Sequence, residues 1–476
     1  MNTRASKNQK SFHDMIRQVI EACADCDTCR FLMDDSCLFF PELYRLFDQE
    51  KQSGQALTDN QLQRLTDMCT VCGLCPCPDI RADIMEAKAA RVRENGMPLG
   101  VRLLADAENT GKYAGCLPGL ANTLLAITPA ASAAKRLAGI AQARKLPGIP
   151  NRNFFVLARR KGLTRMPAQS PKAAYFAGCT AGYLFPVVGL AAVDVLEQNG
   201  IQVYVPPQQC CGMPTLAEGA QRLTRMRVRK NIKTLLDAAA SGCDLVCSCP
   251  TCGFFMKILL KEGAFYSGAY QETAGAGAHE IRIPDEKTGG GKHTSVQKSM
   301  YGKILKDNPC FSGIDPMARI DLSQRLVDLG GYLWNLHQQD RLNTDLGHVT
   351  DRMVYFAPCH QREQNIGSPY QNLLALIPGI DLERVGGAMD CCGMGGSLGF
   401  KKSFHADSLR LGQQLADKIR GASPKAVVTE CLSCRLQFRH LMPELSVFHP
   451  LEILQRAYEK NNVRHEGCFV TARLKS

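Results

Sequence analysis

Five cysteines recur twice in this chain, in the same order and at nearly the same spacing. The first set is Cys179, the vicinal pair Cys210-Cys211 followed by Gly212, and Cys249-x-x-Cys252. The second is Cys359, Cys391-Cys392 followed by Gly393, and Cys431-x-x-Cys434. The offset is 180 residues at the first cysteine, 181 at the vicinal pair and 182 at the last pair. So small a drift over so long a repeat marks an internal duplication, and it constrains the chain to fold as two like units. Two further runs, Cys23/Cys26/Cys29/Cys37 and Cys69/Cys72/Cys75/Cys77, precede it. Grouped thiolates bind soft metals, and several groups in one chain suggest a path for electrons.

The 476 residues suffice to bury cores without disulfide staples, so the 23 cysteines are not needed to hold the chain together. Met1 to Ala22 is polar and has no apolar h-region, which speaks against a Sec-type signal and against a secreted disulfide framework. A reducing cytoplasm is the expected setting. The net charge of +12 is unevenly spread: Asn109 to Val193 contains eleven Lys or Arg and no Asp or Glu. Lys135, Arg136, Arg144, Lys145, Arg159, Arg160 and Lys161 are the expected contacts to an anionic surface, either lipid headgroups on the inner face of the membrane or an acidic partner subunit. Aromatic interleaving is limited to Phe154 and Phe155, so nucleic acid is not expected. The rival reading of this stretch is a solvated connector. Tyr113 to Ala134 is uncharged and long enough to span a membrane, but it is rich in Ala, Thr and Ser and broken by Pro118 and Pro129. At most it lies on a membrane surface, as a peripheral element.

Organisation follows from these features. Residues 1–110 read as short helices around cysteine loops, a two-cluster ferredoxin-like unit, with a helix over 80–94 capped by Asp79. Residues 111–170 are the basic connector, 171–265 the first repeat, 266–345 an insert with a helix near 321–339, and 346–476 the second repeat. In the first repeat, strands are expected at 173–177, 201–205 and 244–247, with helices at 187–198 and 216–240. The second repeat has matching strands at 353–357, 380–385 and 426–429. Alternation of this kind implies Rossmann-like parallel α/β units, with the cysteines just past strand C-termini, where open parallel sheets bind ligands. Gly289-Gly290-Gly291-Lys292 fails as a phosphate loop, because Glu286 and His293 stand where Gly and Ser or Thr are needed; a flexible loop over 285–295 is expected instead.

Cys69-x-x-Cys72-x-x-Cys75-x-Cys77-Pro78 is close to the bacterial ferredoxin run, in which three thiolates close one cluster and the fourth serves the other. That rule groups Cys23, Cys26 and Cys29 with Cys77, and Cys69, Cys72 and Cys75 with Cys37. The Cys29–Cys37 gap is long, no proline follows Cys37, and Cys75–Cys77 is short, so the fourth ligand of the second cluster is the least determined. Zinc is the alternative for Cys-x-x-Cys pairs.

Five thiolates per repeat exceed the needs of one zinc or one cubane. With Pro358-Cys359-His360, Cys391-Cys392-Gly393-x-Gly395-Gly396, Gly399-Phe400-Lys401-Lys402 and His449-Pro450, the chain resembles the CCG-domain proteins, which include heterodisulfide reductase catalytic subunits. Its layout is most similar to the C subunits of anaerobic glycerol-3-phosphate dehydrogenases. The resemblance implies two ferredoxin-type [4Fe–4S] clusters and one or two noncubane [4Fe–4S] clusters at Cys179/Cys210/Cys211/Cys249/Cys252 and Cys359/Cys391/Cys392/Cys431/Cys434, with zinc as an option at one. It also implies a multicluster electron-transfer subunit, passing electrons from a dehydrogenase-type partner to quinone or another acceptor. The alternative is a disulfide or heterodisulfide reductase acting at a CCG cluster. Cys116, Cys243, Cys247, Cys310 and Cys468 are left as free thiols, of which Cys247 lies closest to a ligand. His360 reads as a donor to sulfur, a proton relay or a strand-end cap, and Glu430 and Arg435 as charges flanking the last pair.

Overall fold

The computed structural model describes residues 10–33, 36–285, 292–302 and 304–462. Its described strands are β1 (Lys172–Phe176), β2 (Gln202–Tyr204), β3 (Asp244–Cys247), β4 (Glu280–Pro284) and β5 (His293–Gln297), then β6 (Leu326–Asp328), β7 (Arg352–Tyr355), β8 (Asp381–Arg384), β9 (Ala426–Val428) and β10 (Ser446–Phe448). Two four-stranded sheets form the centre, each parallel throughout. Their orders are β2-β1-β3-β6 and β8-β7-β9-β10, one topology built twice. Residues Ala173 to Phe176 and all of β9 are buried, as sheets covered on both faces require.

The repeats share one core, in which Tyr175, Val193 and Leu196 meet Leu333, Tyr355 and Leu373. Helix Pro186–Gln198 of the first repeat packs on Pro450–Asn462 of the second, and Leu329–Gln338 packs on Pro369–Ala375. Each repeat thus covers the helix that follows the other's fourth strand.

Several elements differ from expectation. The helix 80–94 runs instead over Pro78–Asn95, because Pro78 takes the first helical position and Asp79 falls in the first turn rather than at the cap. The helix 216–240 is two, Met213–Ala217 and Gln221–Ala240, divided at Gly219. That glycine has φ +81°, and a Cβ there would stand 2.4 Å from the Lys88 carbonyl oxygen. The single helix 321–339 is a helix Pro316–Arg325, the strand β6 and a second helix Leu329–Gln338. β4 and β5 pair antiparallel and flank the glycine-rich stretch, so the expected loop 285–295 is shorter. Glu286 and Gly289–Gly291 lie outside the described residues, as does Cys468.

The N-terminal region is built of helices Phe12–Cys26, Cys29–Leu32, Phe39–Ser53, Asp59–Met68 and Pro78–Asn95 around Ile16, Leu43, Leu46, Leu62 and Leu65. Capping boxes at Ser11/Asp14 and Thr58/Gln61 start two of them. The stretch 99–160 is largely helical and is docked in part: Phe154 and Ala158 enter the shared core, and Ile140 pairs with Lys401. Arg144 corrects the expectation of a surface charge. It is 0% exposed, packed on Phe400 with its guanidinium on the Gln437 amide oxygen.

Candidate metal centres

Each repeat presents its five cysteines beyond the C-terminal ends of its strands: Cys179 after β1, Cys210-Cys211 after β2 and Cys249 after β3, with Cys359, Cys391-Cys392 and Cys431 in the same places after β7, β8 and β9. Gly212 (φ +110°) and Gly393 (φ +79°) turn the chain after the vicinal pairs. A Cβ on Gly393 would lie 2.1 Å from the Ser408 carbonyl oxygen, so the turn closes only over a glycine.

The thiols of each repeat converge. Cys210 Sγ lies 3.5 Å from Cys179 Sγ, and Cys434 Sγ lies 3.0 Å from Cys392 Sγ. Thiol donors from Cys210 and Cys252 pull the pKa of Cys211 down, while Cys179 and Cys252 are pushed well up by their thiol partners and by burial. The second repeat repeats the pattern: Cys391 and Cys434 hold Cys392 well below the usual thiol range, and Cys391 and Cys434 themselves rise. In both copies the second residue of the vicinal pair has its pKa pulled down by its thiol neighbours. Cys359 is pushed up by burial, then by the charges of Cys72, Cys392 and Cys431, so it faces both its own repeat and the N-terminal region.

The N-terminal thiols gather in two groups. Burial pushes Cys23 up to about 12, with the charges of Cys29, Cys77 and Cys26 adding to it. Cys29 feels Cys77 and Cys26 in the same way. In the other group, burial raises Cys37 and Cys75, Cys37 next to Cys72 and Cys69, Cys75 next to Cys69 and Cys72. Backbone geometry makes the gathering possible: Asp27, Val71 and Gly73 all have positive φ, folding the chain back between thiols. Cys37 accepts a hydrogen bond from the Phe39 N–H at 3.3 Å.

Among the described residues, no three His, Cys, Asp or Glu side chains converge on the point that a single ion would occupy. Cys37, Cys69, Cys72 and Cys75 instead line a cavity of about 50 Å³ with Met68, Leu398 and Leu411, and Cys391 of the second repeat lies in the same wall. An apolar cavity ringed by thiols, with inward N–H groups, fits an anionic iron–sulfur centre by the chemistry of its donors.

Buried cations surround these thiols, and sequence reading singled out few of them. Arg81 lines the cavity, pairs with Glu262 at 2.6 Å and leaves its Nε–H without a partner. Lys88 Nζ donates to the Cys69 and Ala217 carbonyl oxygens at 2.6 and 2.8 Å. At the first repeat, Arg227 is paired with Asp106 and lies 3.6 Å from Glu108, which also accepts from the Cys210 N–H at 2.8 Å and from Lys112 Nζ at 2.6 Å. Nothing in the sequence joins residues a hundred positions apart in this way. His360 donates from Nε2 to the Val71 carbonyl oxygen at 3.1 Å and accepts at Nδ1 from the Thr251 hydroxyl at 2.9 Å. It also stacks on Phe254 at 4.7 Å, tying both repeats to the Cys69–Cys75 loop. Glu430 is buried and bonded to the Tyr355 hydroxyl, and burial raises its pKa to about 8. Arg435 is paired with Glu452 at 2.8 Å. Of the remaining thiols, Cys243, Cys247 and Cys310 are buried and Cys116 is exposed.

Residues 173–257 and 353–439 each match the family described as CCG, cysteine-rich domain. The chain carries two CCG domains. Similarity to individual proteins extends further along it. The C subunit of the anaerobic glycerol-3-phosphate dehydrogenase of Escherichia coli (strain K12) is 24% identical over 313 residues, 65% of each chain. The B subunit of the CoM/CoB fumarate reductase of Methanothermobacter marburgensis is 25% identical over 309 residues, 63% of this chain and 49% of the relative. An uncharacterized iron–sulfur protein of Methanocaldococcus jannaschii is 25% identical over 304 residues, 63% of this chain and 45% of the relative. The chain therefore spans less than two thirds of the length of each of these relatives. Both CCG domains here keep all five cysteines, and both place them at one end of a parallel sheet.

Proposed function

We propose that this protein is an iron–sulfur electron-transfer subunit of a larger oxidoreductase. The observation that carries the reading is the shared cavity wall: thiols of the N-terminal region and Cys391 of the second CCG domain face one space. Cys23, Cys26, Cys29 and Cys77 would hold one [4Fe–4S] cluster, and Cys37, Cys69, Cys72 and Cys75 the next. The five cysteines of each CCG domain would hold the remaining two. Such clusters supply one-electron transfer at potentials set by their surroundings. The chain's own part is to fix their order, to keep the centres dry and to set the charge around them. The names of the relatives, subunits of a dehydrogenase and of a fumarate reductase, favour a redox partner of that type, with quinone as one acceptor.

Anaerobically purified protein is expected to hold roughly sixteen irons in four cubane-sized clusters. Iron near eight, with zinc making up the remainder, would move a pair of sites from electron transfer to structure and refute this layout. Five intact thiols in both CCG domains also favour a second reading, reduction of a disulfide directly at a CCG centre. Changes in the CCG signals on adding a thiol or disulfide separate that reading from simple electron transfer.

Docking completes the proposal. Among the described residues, no helix is long and apolar enough to cross a membrane. The helices Pro118–Ala126 and Thr128–Leu137 nevertheless expose Leu120, Leu124, Ile127 and Leu137, following Tyr113 and Leu117, with Leu137 85% exposed. Lys112, Arg136 and Lys145 stand exposed in the same stretch. Apolar side chains beside basic ones suit an anionic lipid surface.

A further inference from the structure

The duplicated sites are alike in thiols and unlike in charge. In the first CCG domain the buried cation is Arg227, on the helix Gln221–Ala240. It is neutralised by Asp106 and has Glu108 at 3.6 Å. The helix residue behind the turn glycine is Thr224 in the first domain and Ser408 in the second, which sets Arg227 opposite Leu411, so the second domain has no cation at that helical position. Arg144 from the connector takes its place. Its guanidinium donates to Gln437 at 2.6 Å, the same amide that donates to the Ser408 carbonyl oxygen at 3.1 Å, and to Met394 Sδ at 2.8 Å, two residues past Cys392.

Arg144 has no carboxylate within ion-pairing distance among the described residues, and its Nε–H has no partner. Burial pulls its pKa down to about 10, and the charge of Cys392 is what opposes that pull. Arg362, beside Cys359, likewise bonds only carbonyl oxygens, those of Ala357 and Asp390. Of the carboxyls near Arg362, Asp390 is paired with Lys418 and Glu363 follows it in the chain, while Glu430 is bonded by Tyr355. An unpaired guanidinium in an interior is strongly disfavoured unless an anion lies close. Arg227 at the first site is therefore offset by two carboxylates, one of them shared with Lys112, whereas Arg144 at the second has no carboxylate partner among the described residues.

We infer that Arg144 is a positioning residue that sets the potential of the second CCG site, holding it above that of the first. This rests on the reading that both CCG sites hold iron–sulfur clusters. A fixed positive charge stabilises the more negative, reduced state, so an electron delivered to the pair rests on the second site. The transfer is of one electron, lost by the N-terminal centre and gained by the second CCG site, with no bond made. The duplication thus yields a relay with a defined electron well, and the connector, which belongs to neither repeat, creates the difference.

The test is a redox titration, followed by electron paramagnetic resonance, of iron-loaded full-length protein. Cys211→Ser and Cys392→Ser first assign the two CCG signals. In the unaltered protein the second-site midpoint should be the higher. Arg144→Met should lower that midpoint and leave the first unchanged, while Arg144→Lys should restore most of it. An unshifted second-site midpoint in an iron-replete Arg144→Met protein overturns the inference, as does a second site lying below the first. If Arg144→Met does not load iron, Glu108→Gln gives the reciprocal readout: the first-site midpoint should rise and the gap narrow, and an unchanged gap overturns the inference. Absence of iron from both CCG sites of the unaltered protein refutes the underlying reading instead.

Discussion

His449 shows how one side chain can join the two repeats. Its Nε2–H donates to the Ser248 carbonyl oxygen at 3.3 Å, and its Nδ1 accepts the Leu451 N–H at 3.2 Å. Accepting at Nδ1 requires the neutral ring. Burial therefore pulls its pKa down to about 3, from an ordinary 6.5. The unfolded chain binds a proton below 6.5 that the folded chain refuses, so stability should fall as pH drops from 7 towards 5. The slope approaches about 1.4 kcal/mol per pH unit once the pH is well under 6.5. His449→Gln, which keeps a donor, should flatten that dependence in anaerobic urea titrations; parallel profiles for the two proteins would remove His449 as the cause. Gly393 makes a second case. Alanine there must adopt φ +79° and meet the Ser408 carbonyl oxygen, whereas alanine at Gly367 must adopt φ +73° in open space. Gly367→Ala is expected to cost about 1–2 kcal/mol, the left-handed penalty alone. Gly393→Ala should cost clearly more and deplete second-site iron, as thermal melts and iron analysis would read. Equal losses would mean that the turn has room to adjust.

At the scale of elements, the connector does most to set this protein apart from two stacked repeats. The helix that leads into it reaches the first CCG site: helix Ala107–Ala114 carries Glu108 to the Cys210 N–H, and Gly111 lies so close to Tyr183 that a Cβ would stand 2.6 Å from it. Its last part reaches the second site through Arg144. Between them, helix Pro118–Ala126 buries no side chain fully. An element held at both ends with an apolar middle left uncovered is suited to docking. Leu120→Glu with Leu124→Glu should abolish sedimentation with anionic vesicles at low salt while leaving the iron content unchanged. High salt should weaken the binding of the unaltered protein, because the basic part of the attraction is screened. If the unaltered protein stays in the supernatant at low salt, the surface belongs to a partner subunit rather than to lipid.

Across the whole molecule, Cys391 of the second CCG domain lies in the wall of the N-terminal thiol cavity, and no cysteine of the first CCG domain does. Cys72 contributes to the charge felt by Cys359 of the second domain. This asymmetry predicts magnetic coupling between the Cys37/Cys69/Cys72/Cys75 centre and the second CCG site. Cys392→Ser should remove the coupling from spectra of the reduced protein, and Cys211→Ser should preserve it. Coupling lost equally in both variants would contradict the spatial order. The loss in either variant should be local, because each sheet carries its own five thiols and the shared core is built of aliphatic and aromatic side chains away from them.

The sequence by itself determined the duplication, the parallel α/β units and the position of each cysteine past a strand end. Those features are local: apolar runs such as Ala173–Phe176 form buried strands wherever they pair, and a vicinal pair followed by glycine specifies its own turn. Tertiary structure decided what depends on distant neighbours. β6 and β10 are three residues each, too short for a period of their own, and exist because the exposed edges of β3 and β9 offer them hydrogen bonds. The helix break at Gly219 is imposed by the Lys88 backbone, more than a hundred residues earlier. Arg144 lies in a run that reads as basic surface, and only the packing of Phe400, Met394 and Gln437 around it turns it into a buried charge. The Cys-x-x-Cys spacings were legible because thiols three positions apart in one turn face the same space. That Cys391 faces the N-terminal cavity was not, because separation along the chain says nothing about which faces of separately folded units meet.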